Sequence, residues 1–189
     1  METLESLKWL KENGLYELSS KAALSLKKVF TPCLAVKDEK MLIVGDIGYE
    51  NRNVAAVLSG AYYLAAQELK VDAKLVLQSV KSRGDVSDEA VIKGLSDLKS
   101  GNIIILNMSD KLGNIQELGK SFRRWVAKKN HRFVSAMSLG DLATSKIELI
   151  LKSIDVNYKP LQTQHETIRQ KLEIAKEIHI TTPVGTDLY

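Results

Sequence analysis

From position 41 onward, this sequence alternates between short apolar runs and longer amphipathic segments. The runs have the length of β-strands. All but the last begin about thirty residues after the one before, which is the spacing of a strand, a crossover helix and the next strand. The predicted strands cover 41–45, 73–78, 103–107, 132–137 and 178–182. Because the run at 103–106 is apolar at every position, it is expected to lie in a parallel sheet with helices on both faces.

The alternation predicts an α/β fold, a three-layer sandwich with a mostly parallel, Rossmann-like sheet of about five strands. Two helical patterns, separated by the helix-ending pair Asn13-Gly14, precede the first strand. We therefore expect an N-terminal helical lead-in over 1–30 and a single globular α/β unit over 31–189. The first crossover has an apolar stripe at steps of three and four, formed by Val54, Val57, Leu58, Ala61, Ala65 and Leu69.

Composition narrows the class of protein. The chain has 189 residues, of which 44% are hydrophobic, and this is enough for one sizeable core. No apolar stretch approaches the roughly 20 residues that a membrane-spanning helix needs. The acidic N-terminus lacks the features of a secretory signal, so a cytoplasmic location is expected. The single cysteine, Cys33, excludes an internal disulfide and fits a reducing compartment.

The distribution of charge argues against a nucleic-acid partner. The net charge is only +4. The densest basic run, at 123–132, has an aromatic residue inside it, as nucleic-acid surfaces often do. That aromatic residue, Trp125, falls in step with Leu118 and Phe122 at helical spacing. We therefore expect Trp125 to face the core and the bases to form a solvated outer face.

Ligands of parallel α/β sheets usually bind at the loops beyond the carboxyl ends of the strands. The first such loop contains Gly45 and Gly48 but lacks the G-x-G-x-x-G arrangement that cradles a pyrophosphate, which argues against a nucleotide cofactor. Asp46 is a candidate for a polar role in a cleft, and a turn-forming aspartate is the alternative. No loop contains a carboxylate pair or a serine elbow, so no catalytic residue is predicted. The second loop is charged and contains Lys81, Arg83 and Asp85.

The histidines do not form a recognisable metal motif. A catalytic metal site needs histidines clustered with carboxylates, and neither H-E-x-x-H nor H-x-H occurs. His131 falls in the basic run, His165 shares a helical stripe with Leu161, Ile168 and Leu172, and His179 lies in the last predicted strand. The sequence therefore predicts a packed or terminal position for His165, a structural role for His179 and no metal site in this chain.

The closing segment carries the most distinctive motif. It is the run Ile180-Thr181-Thr182-Pro183-Val184-Gly185-Thr186-Asp187-Leu188. This run resembles the "hydrophobic-Thr-x-Pro-x-Gly-Thr-Asp-Leu" sequence of aminopeptidase T-like proteins, a thermophilic metallopeptidase family whose relatives include dihydroxypyridine dioxygenases. The order of the preceding segments, over roughly residues 20 to 189, is similar to that family as well.

The resemblance implies a function for the chain as one part of an enzyme. In that family the metal ligands lie in a C-terminal domain after this run, so a divalent metal is expected only there and no cofactor is expected here. The resemblance implies an N-terminal, non-metal-binding α/β domain that shapes a substrate cleft or an inter-domain surface and is inactive as a peptidase alone. Its implied partner is a C-terminal catalytic domain. The alternative is a stand-alone, non-catalytic module for binding or self-association.

Within the motif, several residues are candidates for the edge of a cleft or of an inter-domain surface, and a purely local turn is the alternative for all of them. The candidates are Thr181, Thr182, Gly185, Thr186 and Asp187.

Overall fold

The computed structural model of the protein describes residues 1–119 and 121–189, apart from the side chain of Glu117. The chain divides into two compact units, Met1–Asp155 and Val156–Tyr189. The boundaries expected from the sequence, 1–30 and 31–189, stay a prediction, and the division into compact units falls elsewhere. None of the helices in the described part of the chain combines the length and the apolarity that a bilayer crossing requires.

The first unit contains six helices and four strands among its described residues. The helices are α1 (Thr3–Glu12), α2 (Tyr16–Phe30), α3 (Val54–Glu68), α4 (Glu89–Asp97), α5 (Phe122–Lys128) and α6 (Ile147–Ile154). The strands are β1 (Met41–Asp46), β2 (Ala73–Gln78), β3 (Ile103–Asn107) and β4 (Arg132–Ala136). Short 3-10 turns cover Gln116–Leu118, Leu139–Asp141 and Thr144–Lys146.

The four strands form one parallel sheet in the order β2-β1-β3-β4. In the central register Val44 pairs with Val76 on one side and with Leu106 on the other. Helices pack on both faces of the sheet. Successive residues of β1 face opposite sides of the sheet, so residues three positions apart contact different helical layers. Leu42 meets Gly94 of α4, whereas Gly45 meets Ser59 of α3. The predicted α/β fold with a parallel sheet between helical layers is confirmed.

Helix α3 is buried nearly all round. Its stripe was expected to lie on the sheet, yet residues outside that stripe, such as Ala55 and Ala56, are also fully buried. Helix α2 packs against α3 and supplies this extra cover. Such a helix is apolar on every side, and α3 accordingly has no charged residue before Glu68.

The start of the chain covers one edge of the sheet. Strand β2 is an edge strand, whose unpaired backbone groups would otherwise be open to pairing with another chain. The Thr3 hydroxyl accepts a hydrogen bond from the Leu75 N–H (3.0 Å) and donates one to the Leu75 carbonyl (3.1 Å). The Ser6 hydroxyl accepts from the Leu77 N–H (3.1 Å). The helical lead-in therefore blocks the edge of β2.

The second unit contains α7 (Tyr158–Ile174) and a hairpin of two short antiparallel strands, β5 (Ile180–Thr181) and β6 (Asp187–Leu188). The prediction of a fifth parallel strand at 178–182 is wrong, since the sheet has four strands and β5 pairs only with β6. A turn through Pro183 and Gly185 folds the chain back directly after β5, which leaves this segment too short to serve as a sheet strand.

Candidate functional site

Asp46 lies at the carboxyl end of β1, where the strand order reverses and ligands of such sheets usually bind. Its side chain is fully buried. One carboxylate oxygen, Oδ1, accepts from the Gly48 N–H (3.0 Å) and the Ser109 hydroxyl (2.5 Å). The other, Oδ2, accepts from the Ser109 N–H (2.6 Å). Asp46 thereby ties the loop after β1 to the loop after β3.

The environment of Asp46 acts on its pKa in two directions. Burial raises the pKa of the Asp46 carboxyl above its usual value, because the charged form loses solvation. The hydrogen bonds from Ser109 and Gly48 oppose this effect without cancelling it. The contacts identify Asp46 as a clamp between two loops, which is closer to the turn-forming alternative than to an open polar role.

A cleft with a volume of about 600 Å³ lies at the carboxyl ends of β3 and β4. Volumes of this size are typical of sites for small ligands, about 300–1,000 Å³. Its floor is mostly apolar and includes Leu106, Phe122, Phe133 and Met137. The other described lining residues are Ser135 of β4 and residues of the loop after β2, the loop after β3 and the start of α5.

Backbone hydrogen bonds hold two walls of this cleft together. The Lys111 N–H donates to the Lys81 carbonyl (3.0 Å), which links the loop after β3 to the loop after β2. The Asn114 N–H donates to the Asp85 carbonyl (2.8 Å), and the Asn114 carbonyl accepts from the Ser87 N–H (3.1 Å). These walls are therefore held in place before any ligand arrives, which lowers the entropy lost on binding.

The rim of the cleft is positively charged. Its described lining includes the bases Arg83, Lys111 and Arg123 and one carboxylate, Asp85. The Asp85 carboxylate is engaged by a backbone N–H three residues earlier in the chain (2.7 Å), and Lys111 pairs with Asp110 (3.0 Å). Among the described side chains, no carboxylate forms a salt bridge with Arg83 or Arg123. Two guanidinium groups are thus available to an anion.

The motif of the second unit forms a local β-turn. The Gly185 N–H donates to the Thr182 carbonyl (3.1 Å), and Gly185 has a positive φ of 102°, which favours glycine. The Thr182 hydroxyl accepts from the Thr186 N–H (3.1 Å). The Asp187 carboxylate lies within hydrogen-bonding distance (2.5 Å) of the His179 Nε2. The His179 ring stacks on the Tyr189 ring, with ring centres 4.0 Å apart. The motif therefore specifies a hairpin, whose described side chains are largely exposed.

The residues chosen from the sequence belong to two different units of the chain. Asp46 is buried in the first unit and is not among the residues that line the cleft, while Thr181, Thr182, Gly185, Thr186 and Asp187 form the hairpin of the second unit. Sequence reasoning noted Arg83 within a charged loop but treated Arg123 as part of a solvated face. One feature of the sequence could have indicated the cationic cleft. Basic residues, at positions 83 and 111, follow the ends of β2 and β3.

No metal cluster is found within the described residues, where no group of three or more His, Cys, Asp or Glu side chains could hold an ion. The three histidines have different surroundings. His165 is exposed on α7, His179 contacts Asp187, and His131 is buried at the start of β4.

His131 is held in its neutral form. Its Nδ1 accepts a hydrogen bond from the Asn102 N–H (3.2 Å), its ring packs on Trp125, and its buried Nε2 has no partner among the described residues. Burial lowers the pKa of the His131 imidazole below the ordinary value of 6.5, and the charge of Lys129 acts in the same direction. Trp125 itself is buried in the core, as its spacing predicts.

This arrangement predicts a pH dependence of stability. Because the folded pKa of His131 is lowered, the unfolded chain binds more protons below pH 6.5, and the free energy of unfolding falls as the pH falls from that value towards the folded pKa. The slope contributed by one such group is at most about 1.4 kcal/mol per pH unit. Urea unfolding at several pH values should show this slope in the native protein and not in His131→Asn. His165→Asn, at an exposed position, is the control, and an equal slope in all three proteins would contradict the assignment.

Comparisons of the chain with protein-family models, with curated proteins and with solved structures found no match in any of the three.

Proposed function

We propose that this chain is a non-metal-binding α/β domain of the kind found at the front of aminopeptidase T-like proteins, and that it shapes a substrate cleft. The observation that carries the proposal is the cleft of about 600 Å³ at the carboxyl ends of β3 and β4. Its apolar floor and fixed walls suit a small organic ligand such as a short peptide. The resemblance of the 180–188 run to the motif of that family supports the choice of peptides.

The proposal requires the chain to bind peptides without hydrolysing them. Calorimetric titration with short peptides that contain apolar side chains should give saturable binding with one site per chain. The same chain, incubated with zinc or cobalt salts and leucine p-nitroanilide, should release no product above the rate of a metal-only control. Absence of peptide binding at millimolar concentration would contradict the proposal that the cleft binds peptides. Turnover by the chain would contradict the proposal that the domain binds no catalytic metal.

A second candidate function, self-assembly, is favoured by the surface of α7. No described residue of this helix is buried. Leu161, Ile168 and Leu172 recur at steps of seven and four, which places them on one face of the helix, and each is at least 40% exposed. Such a stripe is typical of helices that pair with another helix.

Sedimentation velocity separates the two candidates. Self-assembly predicts a dimer or larger species that dissociates in the double variant Ile168→Asp, Leu172→Asp. The domain proposal needs no association between copies of the chain, so it predicts a monomer for both proteins. Thr163→Asp with Thr167→Asp, two polar positions on the same helix, serves as the matched control for added charge.

A further inference from the structure

The cleft combines an apolar floor with a cationic rim, and the two parts together define a class of ligand. Leu106, Phe133 and Met137 offer contact to an apolar group. Arg83 and Arg123 approach the cleft from different segments, the loop after β2 and the start of α5. Because a guanidinium can donate two parallel hydrogen bonds to an oxyanion, this rim favours a ligand with a carboxylate or phosphate group.

The charges that surround the cleft leave these two arginines free to act. Lys81, the other base of the loop after β2, is paired with Asp88 (2.5 Å). That ammonium group and the Ser79 backbone, acting against burial, hold the pKa of the Asp88 carboxyl below its usual value, so Asp88 is ionised and neutralises Lys81. Among the described lining side chains, three are cationic and one, Asp85, is anionic. The rim is thus net positive.

We propose that the cleft binds an oxyanion joined to an apolar group, and that this ligand is the C-terminal end of a short peptide, whose carboxylate is bound by Arg83 and Arg123 while its last side chain lies on the apolar floor. The assignment of a peptide rests on the proposed function. The assignment of an anion rests on the charges of the rim. The two parts can fail separately.

A matched pair of ligands isolates the charge. N-acetyl-leucyl-phenylalanine and its C-terminal amide differ only in the carboxylate, and calorimetry should give the acid an affinity about tenfold higher, the value of one good charge-assisted hydrogen-bonded contact. The difference should shrink between low and high salt, because the rim is exposed. Equal affinities would overturn the anion assignment and leave the substrate cleft intact. Failure of both ligands to bind would overturn the cleft as well.

Variants of the two arginines locate the contact. Arg83→Gln and Arg123→Gln should each weaken binding of the acid about fivefold to tenfold and leave binding of the amide unchanged. Arg124→Gln is the matched control, since it makes the same change at the next position of α5 and Arg124 does not line the cleft. If Arg123→Gln and Arg124→Gln weaken binding of the acid equally, the effect comes from the overall charge of the surface, and the assignment of Arg123 to the binding site is wrong.

The source of the oxyanion is tested with phenyl phosphate. The proposal predicts that this compound binds more weakly than the peptide acid, because its apolar group is smaller and it lacks the peptide backbone. If phenyl phosphate binds tenfold more tightly than the peptide acid, and Arg83→Gln abolishes that binding, the peptide assignment is wrong and the ligand is a phosphate ester.

Discussion

Replacement of Gly45 by valine is expected to lower the free energy of unfolding by about 3 kcal/mol or more, at the upper end of the cost of overpacking a core. A Cβ atom at Gly45 would lie 2.2 Å from the Ser59 Oγ and 3.0 Å from a methyl carbon of Leu77. The Ser59 hydroxyl cannot move freely, because it donates to the Ala55 carbonyl (2.8 Å) and accepts from the Asn107 amide (3.1 Å). The insertion must therefore push α3 away from the sheet.

The test is urea unfolding of Gly45→Ala and Gly45→Val, with Gly94→Ala as the control. A Cβ atom at Gly94 would lie 3.2 Å from the end of the Leu42 side chain and at an ordinary contact distance of 3.7 Å from Val76. Alanine also improves the helix propensity of α4. We expect Gly94→Ala to change stability by less than about 1 kcal/mol, and Gly45→Ala to lose about 1–3 kcal/mol. Equal effects at the two glycines would mean that α3 is not packed this closely on β1.

Replacement of Asp46 by alanine is expected to cost about 3 kcal/mol. The change leaves the Ser109 N–H, the Ser109 hydroxyl and the Gly48 N–H without their acceptor, and a buried donor without a partner costs about 1–3 kcal/mol. Asp46→Asn keeps one acceptor oxygen but presents an amide N–H to a backbone donor, so it should lose about half as much. Asp38→Ala, at an exposed aspartate, should stay within about 0.5 kcal/mol of the native protein.

The pH dependence of the Asp46 effect gives a second readout. Because the folded pKa of Asp46 is raised, this carboxyl contributes stability that is present at low pH and is lost as the pH rises through the folded pKa. The stability difference between the native protein and Asp46→Asn should therefore narrow as the pH rises. A difference that widens with pH would show that the ionised carboxylate is favoured by its hydrogen bonds more than it is penalised by burial.

The strands of the sheet could be predicted because their signal is local. The apolar runs at 41–45, 73–78 and 103–107 are long enough for strands and carry few polar residues, and such runs occur where both faces of a sheet are covered. The crossover helices between them follow from the same spacing. The fifth run failed because turn chemistry overrode it. The Pro183–Gly185 turn reverses the chain immediately after Thr181, and the segment pairs with the residues that follow it.

The cleft could not be predicted from the sequence because it depends on the order of the strands. Arg83 and Arg123 are 40 positions apart in the chain, and nothing local indicates that they line one space. The order β2-β1-β3-β4 places the loops after β2 and β3 on either side of β1. The backbone hydrogen bond from the Lys111 N–H to the Lys81 carbonyl then joins the two loops. The packing of α2 on α3 was missed for the same reason. The sequence pattern of an apolar helix shows that a face is buried, but it does not show which element covers that face.

The central claim is that the chain binds a ligand in this cleft. The position of the bound ligand can be measured directly. In ¹⁵N–¹H correlation spectra of the native protein, titration with N-acetyl-leucyl-phenylalanine should shift the backbone amides of Gly84, Asn114 and Ser121, which line the cleft. The amide of Leu24 on α2, a residue of the same unit that does not line the cleft, should not move. Shifts confined to the hairpin, or an unchanged spectrum at millimolar ligand, would contradict the account.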